Sequence, residues 1–249
     1  MKDKLRLLAR RYLSRETRHQ LARLAVWPPV GWVRFGDLRR LKPISSDYGN
    51  SRGLEIDRYY IEKFLAEYAG DIHDRVLEIK HNTYTKKYGQ NRVTKSDVLH
   101  PVEGNPDATM VADLTKADHV PSDCYDAIIF TQTLQVIYDF RTVIATLYRI
   151  LKPGGVLLAT VSGMAQISLD DFDEWGEYWR FTSLSARLLF EEAFSVGNVT
   201  VHPYGNVLAA ISFLEGLACE DLERSELDSR DRRYEVLIAV RASKPEQTR

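Results

Sequence analysis

Beyond residue 55 the apolar positions follow two alternating rhythms. In IDRYYIEKFLAEYAGDI (56–72), Ile56, Tyr60, Phe64, Leu65 and Tyr68 recur at helical spacing and make one apolar face, with Gly70 as a stop signal. Short runs rich in Val or Ile come next: RVLEIK (75–80), NRVTKSDVL (91–99), ATMVADL (108–114) and YDAIIFTQ (125–132). Between the fourth run and a fifth, GVLLATV (155–161), the stretch DFRTVIATLYRILKPGG sets Val143, Ile144, Leu147, Ile150 and Leu151 on one helical face and stops at Pro153-Gly154. The closing third reads as a helix over 183–194, a strand over 198–205, a helical stretch over 206–222 and a last strand over 234–242. Seven strands alternating with helices predict an α/β fold, a largely parallel sheet covered on both faces.

The first 44 residues break this rhythm. Leu5, Leu8, Tyr12, Leu21 and Leu24 stand at roughly helical spacing among arginines, which predicts amphipathic turns with a basic outer face. WPPVGWVRFGDLRRLKPISSDYGNSRG then has no sustained period and reads as an ordered connector. The expected organisation is an arm and connector over 1–44, a catalytic domain over 45–243, and a short tail over 244–249. The insert 206–228, between the last two strands, is the candidate for a lid or a homodimer contact.

Charge sharpens the division. The chain of 249 residues holds 34 Lys+Arg and 35 Asp+Glu, yet residues 1–42 carry 12 and 3 of these, a net +9, leaving −10 for the remainder. Three readings of the arm stay open: docking on the acidic remainder or a sister subunit, peripheral contact with an anionic membrane or phosphorylated glycan, and, least favoured, nucleic acid. Arginines interrupt any secretory apolar core, and Val207 to Ala218, broken by Ser212 and Glu215, is too short to span a bilayer. Cys124 and Cys219 form no CxxC pair, which excludes a disulfide framework and a cysteine zinc site and fits a cytoplasmic location, with the inner membrane face as the peripheral variant.

In an open parallel sheet, ligands sit beyond the carboxyl ends of the strands. Three acids are expected there: Glu78 on the first strand, Asp97 on the second, 19 residues later, and Asp113 on the third. A carboxylate about 20 residues after the first strand suits a ribose diol, because it accepts from both hydroxyls at once. No GxGxxG follows the first strand, the GxSxG string Gly49–Gly53 lies in the connector and forms no strand-to-helix nucleophile elbow, and no metal-spaced His/Asp cluster occurs, which removes the reasons to read a nicotinamide oxidoreductase, a serine hydrolase or a metallonuclease.

VLEIK, SDVL, ADLTKADHVPSDCYDAIIFTQTLQVIYD and YRILKPGGVLLATV together resemble the class I S-adenosylmethionine-dependent methyltransferases, over about residues 56–242. The likeness is to the type 11-like small-molecule branch, and ISSDYGNSRGLEIDRYYIEKFL is similar to the lead-in of bacterial glycan-associated relatives active in polysaccharide biosynthesis. It implies a Rossmann-like, seven-stranded sheet with an antiparallel last strand, S-adenosylmethionine as cofactor, and a small-molecule or glycan-type acceptor. It further implies that Glu78 organises the first loop, that Asp97 with Val98 binds the ribose and Asp113 with Leu114 the adenine, and that Thr131 and Gln132 flank the methionine moiety. One departure stands out: the loop reads Glu78-Ile79-Lys80-His81-Asn82-Thr83 where the family is glycine-rich. Asn82 tolerates the left-handed backbone that glycine would supply, and Lys80 either obstructs the cofactor or pairs with its carboxylate.

Methyl transfer requires positioning of the acceptor and, for a hydroxyl, a base. Candidate bases are His81, His119 and His202, with His81 first by its place after the first strand. Trp175, Tyr178, Trp179 and Arg180 follow the fifth strand, where aromatic faces and a guanidinium suit a sugar or an anionic acceptor. Arg52, Asp57, Arg58, Tyr59 and Tyr60 are expected to cover the cofactor from the amino-terminal side, Tyr60 being the one assigned to the core. The competing reading is a degenerate fold, non-catalytic, that serves as a binding or scaffolding subunit.

Overall fold

The computed structural model describes residues 31–246, together with 13, 14, 17, 28 and 29. The apolar positions Leu5, Leu8, Tyr12, Leu21 and Leu24, and the end of the tail, lie outside the described residues. The chain divides into two compact units, Met1–Lys42 and Pro43–Arg249.

The second unit is built on seven strands: β1 (Asp74–Ile79), β2 (Val93–His100), β3 (Met110–Val111), β4 (Tyr125–Thr131), β5 (Leu151–Ser162), β6 (Val199–Tyr204) and β7 (Leu237–Ser243). Their order is β3-β2-β1-β4-β5-β7-β6, parallel from β3 to β5, with β7 antiparallel to both its neighbours. The expected seven-stranded sheet with its antiparallel last strand is therefore present. Strand order reverses between β1 and β4, so their carboxyl ends define the switch point of the sheet.

Helices cover both faces because each presents an apolar stripe. Helix α1 (Ile56–Glu67) buries Ile56, Tyr60, Ile61, Phe64 and Leu65 on the side that also holds Val76, Ile129 and Leu158. On the opposite face α2 (Phe140–Ile150) buries Val143, Ile144, Leu147 and Ile150 against Leu77, Ile128 and Leu157. Asp139 caps α2 by accepting from the Thr142 amide at 3.2 Å. After a short α3 (Leu169–Glu174), α4 (Ser183–Phe194) joins α2 on that face, its first turn closed by a Thr182/Ser185 capping box.

Three expectations need correction. The third strand shrinks from seven residues to Met110–Val111, because only Leu99 and His100 of β2 pair with it. The fifth lengthens to Leu151–Ser162: Leu151 already pairs with Tyr125, and the register slips between Tyr125 and Ala127 to absorb Pro153-Gly154-Gly155. A Cβ at Gly155 would meet the Lys152 carbonyl oxygen at 2.9 Å, which explains glycine in that bulge.

The helical stretch 206–222 is also broken, into α5 (Val207–Leu214), a 3-10 turn Cys219–Asp221 and α6 (Arg224–Asp228). The break falls at Gly216, whose φ is +68° and whose missing Cβ leaves room for the Ser45 carbonyl oxygen. The insert lies on the α1 side, held by a Glu55–Ala218 bridge, by the Cys219 amide to the Leu54 oxygen at 2.8 Å, and by an Arg52–Asp221 ion pair. Its outer face exposes Val207, Leu208, Ile211 and Leu214. Among the described residues no helix is long and apolar enough to cross a membrane, and no group of His, Cys, Asp and Glu could hold a metal ion.

Candidate functional site: the crevice at the ends of β1 and β4

Polar residues converge where β1 and β4 end. Glu78, the penultimate residue of β1, is 4% exposed, and its carboxylate accepts from the Tyr84 amide at 3.1 Å, the Thr85 amide at 2.7 Å and the Thr85 hydroxyl at 2.7 Å. Burial pushes its carboxyl up and the Thr85 and Tyr84 donors counter it. These bonds fold residues 79–85 back on the strand and start a compact turn over Thr85–Gly89 in place of a long helix.

The left-handed position in this loop belongs to Lys80, with φ +70°, and not to Asn82 as expected. Lys80 extends the ladder through its amide to the Leu99 oxygen at 2.9 Å, and its own oxygen accepts from the Asn105 amide group at 2.7 Å. Its exposed ammonium makes no hydrogen bond or ion pair among the described residues. The backbone turn that glycine normally permits is thus kept by a lysine at a strain cost of roughly 1–2 kcal/mol. Asn82 instead donates to the Ser96 hydroxyl at 3.3 Å.

Asp97 is the main correction. The second strand runs on to His100, so Asp97 stands three residues short of its end, beside Leu77. Its carboxylate is 7% exposed and bound to Arg75, at 2.8 Å to Nε and 2.7 Å to a terminal nitrogen. Arg75 also lies 4.8 Å from the Tyr125 ring centre. Asp97 is therefore a buried structural ion-pair partner facing the amino-terminal half of the sheet, and Val98 beside it is core. The end of β2 is occupied by His100, whose Nδ1 lies 2.7 Å from the Val102 oxygen. That contact places a proton on Nδ1, so in the neutral ring Nε2 is the acceptor. Asp113 lies in the loop after β3, exposed, with one carboxylate oxygen accepting from the Thr115 amide and hydroxyl, which holds its pKa low. Leu114 is buried beneath it.

At the end of β4, Thr131 gives way to Gln132 in a left-handed conformation, φ +48°. Gln132 is fixed on both sides: its Oε1 accepts from Gln135 Nε2 at 2.9 Å and the Ser162 hydroxyl at 3.0 Å, and its Nε2 donates to Asp57 at 3.1 Å. Gln135 is 6% exposed and its Oε1 has no partner. Arg58 donates to the Tyr84 hydroxyl at 3.2 Å, so the Asp57-Arg58 pair of α1 touches both walls of the crevice. Of the five residues expected on this side, Arg52 binds Asp221, Tyr59 binds Asp228, and Tyr60 is core with its hydroxyl on the Leu227 oxygen.

Residues 163–181 form a roof. Trp175 reaches from β5 past the ends of β4 and β1 to meet His100 of β2 edge-on, ring centres 6.2 Å apart. The Gln135 main-chain oxygen accepts from the Tyr178 and Trp179 amides, tying the roof to the β4 loop. Tyr178 is half exposed, edge-on to Tyr138, and Trp179 packs on Tyr138 and Phe140. Arg180 is engaged within the roof, 2.6 Å from Glu177, 3.0 Å from the Trp179 oxygen and 2.7 Å from the Gln166 oxygen, so its guanidinium is committed to holding the loop. His81 is exposed with Nδ1 3.4 Å from Asp107. The structure does not bring His81, Tyr178 and Arg180 into contact with one another. His119 is exposed, and His202 lies on β6 against Tyr68 and Phe64, its pKa lowered by burial.

Sequence reading missed His100, Gln135, Thr160, Ser162 and the pairing of Asp57 with Gln132. The polar Thr160 and Ser162 at the end of an otherwise apolar strand were the available signal. An open depression lined by Asn206, Leu208, Ser229 and Arg232 lies at the β6 end, beyond β5 and β7 from this crevice.

A doubly wound sheet of this order, with an antiparallel β7 and a polar crevice at its switch point, defines the class I methyltransferase fold. Residues 58–159 match the family model described as a methyltransferase domain. The chain thus contains a stretch that matches a methyltransferase domain, on a fold shared with S-adenosylmethionine-dependent methyltransferases. It resembles a SAM-dependent methyltransferase from Archaeoglobus fulgidus at 12% identity and TM-score 0.50, over 75% of this chain and 94% of that one. An S-adenosylmethionine-dependent methyltransferase from Mesorhizobium loti matches at 16% identity and TM-score 0.50, over 76% and 98%. The [4+2]-cyclase SpnF matches at 12% identity and TM-score 0.51, over 82% and 87%. No curated protein matches the sequence. A cyclase among these likenesses illustrates that the fold does not dictate the reaction.

Proposed function

We propose that the chain binds S-adenosylmethionine in the β1/β4 crevice and transfers its methyl group to a small-molecule or glycan-type acceptor admitted under the roof. The observation that carries this reading is the loop after β1: Glu78 closes it with three donors and Lys80 takes the left-handed turn, so the backbone path survives without glycine.

When bound, the cofactor supplies an electrophilic methyl on a sulfonium. The residues of this chain hold and orient. Asp113 keeps a carboxylate oxygen free for an exocyclic amine, and His100 Nε2 accepts from a ribose hydroxyl in the place expected for Asp97. Thr131 and Gln132 stand at the methionyl end. The aromatic faces of Trp175, Tyr178 and Tyr138 offer an acceptor apolar stacking surface, and the roof limits water. Because the proposed work is positioning, few ionisable groups are required.

The test is calorimetric titration of S-adenosylmethionine and S-adenosylhomocysteine into the whole chain and into Asp113→Ala. Saturable binding weakened about tenfold by the substitution, the loss of one charge-assisted hydrogen bond, is the expected result. Absence of binding to the wild-type chain overturns the reading.

A further inference from the structure

Like Glu78 and Asp113, Asp57 forms no ion pair among the described residues, and its carboxylate stands on the wall of the crevice. Asp57 sits in the first turn of α1, partly buried, with Oδ1 accepting from the Arg58 amide at 2.8 Å and Oδ2 from Gln132 Nε2 at 3.1 Å. Among the described residues no Lys, Arg or His forms an ion pair with it. The Arg58 guanidinium turns to the Tyr84 hydroxyl at 3.2 Å and to Glu55 at 3.9 Å. Burial consequently pushes the Asp57 carboxyl upward, an effect the Arg58 charge only partly offsets.

The carboxylate is also held in place. Gln132 is clamped by Gln135 and Ser162, so its amide is aimed at Asp57 by a chain of neutral groups that supplies direction without neutralising charge. A desolvated carboxylate so arranged is costly in the empty protein and favourable once a cation arrives. Gln132 directly follows β4 at the switch point, so the unneutralised charge stands on the wall of the crevice.

We propose that Asp57 is the counter-charge for the cationic methionyl end of the cofactor, its sulfonium and ammonium, and selects charged ligands over neutral nucleosides. This rests on the methyltransferase reading. A purely structural role, a carboxylate complementing the α1 dipole, is the alternative that the test separates.

Wild-type chain and Asp57→Asn are titrated with S-adenosylmethionine and with 5′-methylthioadenosine, which keeps the nucleoside and lacks both charges. Loss of about tenfold or more in S-adenosylmethionine affinity, the scale of one charge-assisted contact, with methylthioadenosine unchanged within about twofold, is expected. Equal loss for both ligands, or no loss, overturns the proposal. Failure of the wild-type chain to bind either ligand overturns the methyltransferase reading instead. Should Asp57→Asn not melt cooperatively, Asp57→Ser, which suits a helix first turn, carries the same comparison.

Discussion

The two edges of the sheet treat their charged groups in opposite ways. At the amino-terminal edge charges are matched within the chain: Arg75 with Asp97, Lys152 with Asp126 at 2.7 Å, Arg241 with Asp71 at 2.7 Å, and Lys244 with Asp123 at 2.7 Å. At the carboxyl-terminal edge the matching is incomplete. Asp57 and Glu78 have neutral donors only, and the Lys80 ammonium makes no ion pair among the described residues. Internally closed polar sets hold a fold together; open ones mark where something else is meant to bind.

Substitutions at the two edges should therefore fail differently. The largest effect is expected from Asp97→Ala, which strands the Arg75 guanidinium. Breaking a buried pair costs roughly 3–5 kcal/mol, and because Arg75 is 32% exposed the lower end, about 3 kcal/mol, is expected in denaturant unfolding. Cofactor affinity of the folded fraction should stay within about twofold, since no carboxyl-terminal contact changes. A folded Asp97→Ala chain that had lost binding would return Asp97 to the ribose site.

Glu78→Gln should cost about 2 kcal/mol, from weaker bonds to the Tyr84 and Thr85 amides. The loss should concentrate in the loop: hydrogen exchange at those two amides accelerates more than at the β1 core amides. Uniform acceleration would show that Glu78 supports the fold as a whole. The smallest effect, and of opposite sign, is expected at Lys80. Relief of its left-handed strain in Lys80→Gly should stabilise the chain by about 1 kcal/mol, read as a raised denaturant midpoint. A lowered midpoint would mean that the Lys80 side chain contributes contacts exceeding that strain.

The sheet was legible because burial on both faces writes strands as apolar runs and because the α2 stripe is clear, although LKPGG, which reads as a stop, lies inside β5. What escaped depends on register. Whether Asp97 ends a strand or sits inside one turns on three further residues, Val98 to His100, continuing the ladder, and its partner Arg75 lies on a neighbouring strand. The left-handed residue of the first loop could not be picked from local preference, since Asn82 is the better residue for it and the tertiary fold placed it at Lys80. Gln135 was invisible for the same reason, and Ser162 showed only as a polar residue ending an apolar strand, since their partner Gln132 reaches them only after β4 and β5 are paired.

The bond between Asp57 and Gln132 joins residues 75 positions apart. Closing so long a loop must follow the assembly of the β4 and β5 ends that aim Gln132, whereas β4, α2 and β5 are neighbours in sequence. The order of events this implies is a sheet that reaches its shape before its ligand crevice has a second wall. During synthesis α1 leaves the ribosome before the strands and yet acquires its contact with Gln132 late, so the nascent chain passes through a stage that is folded in outline with this wall not yet closed.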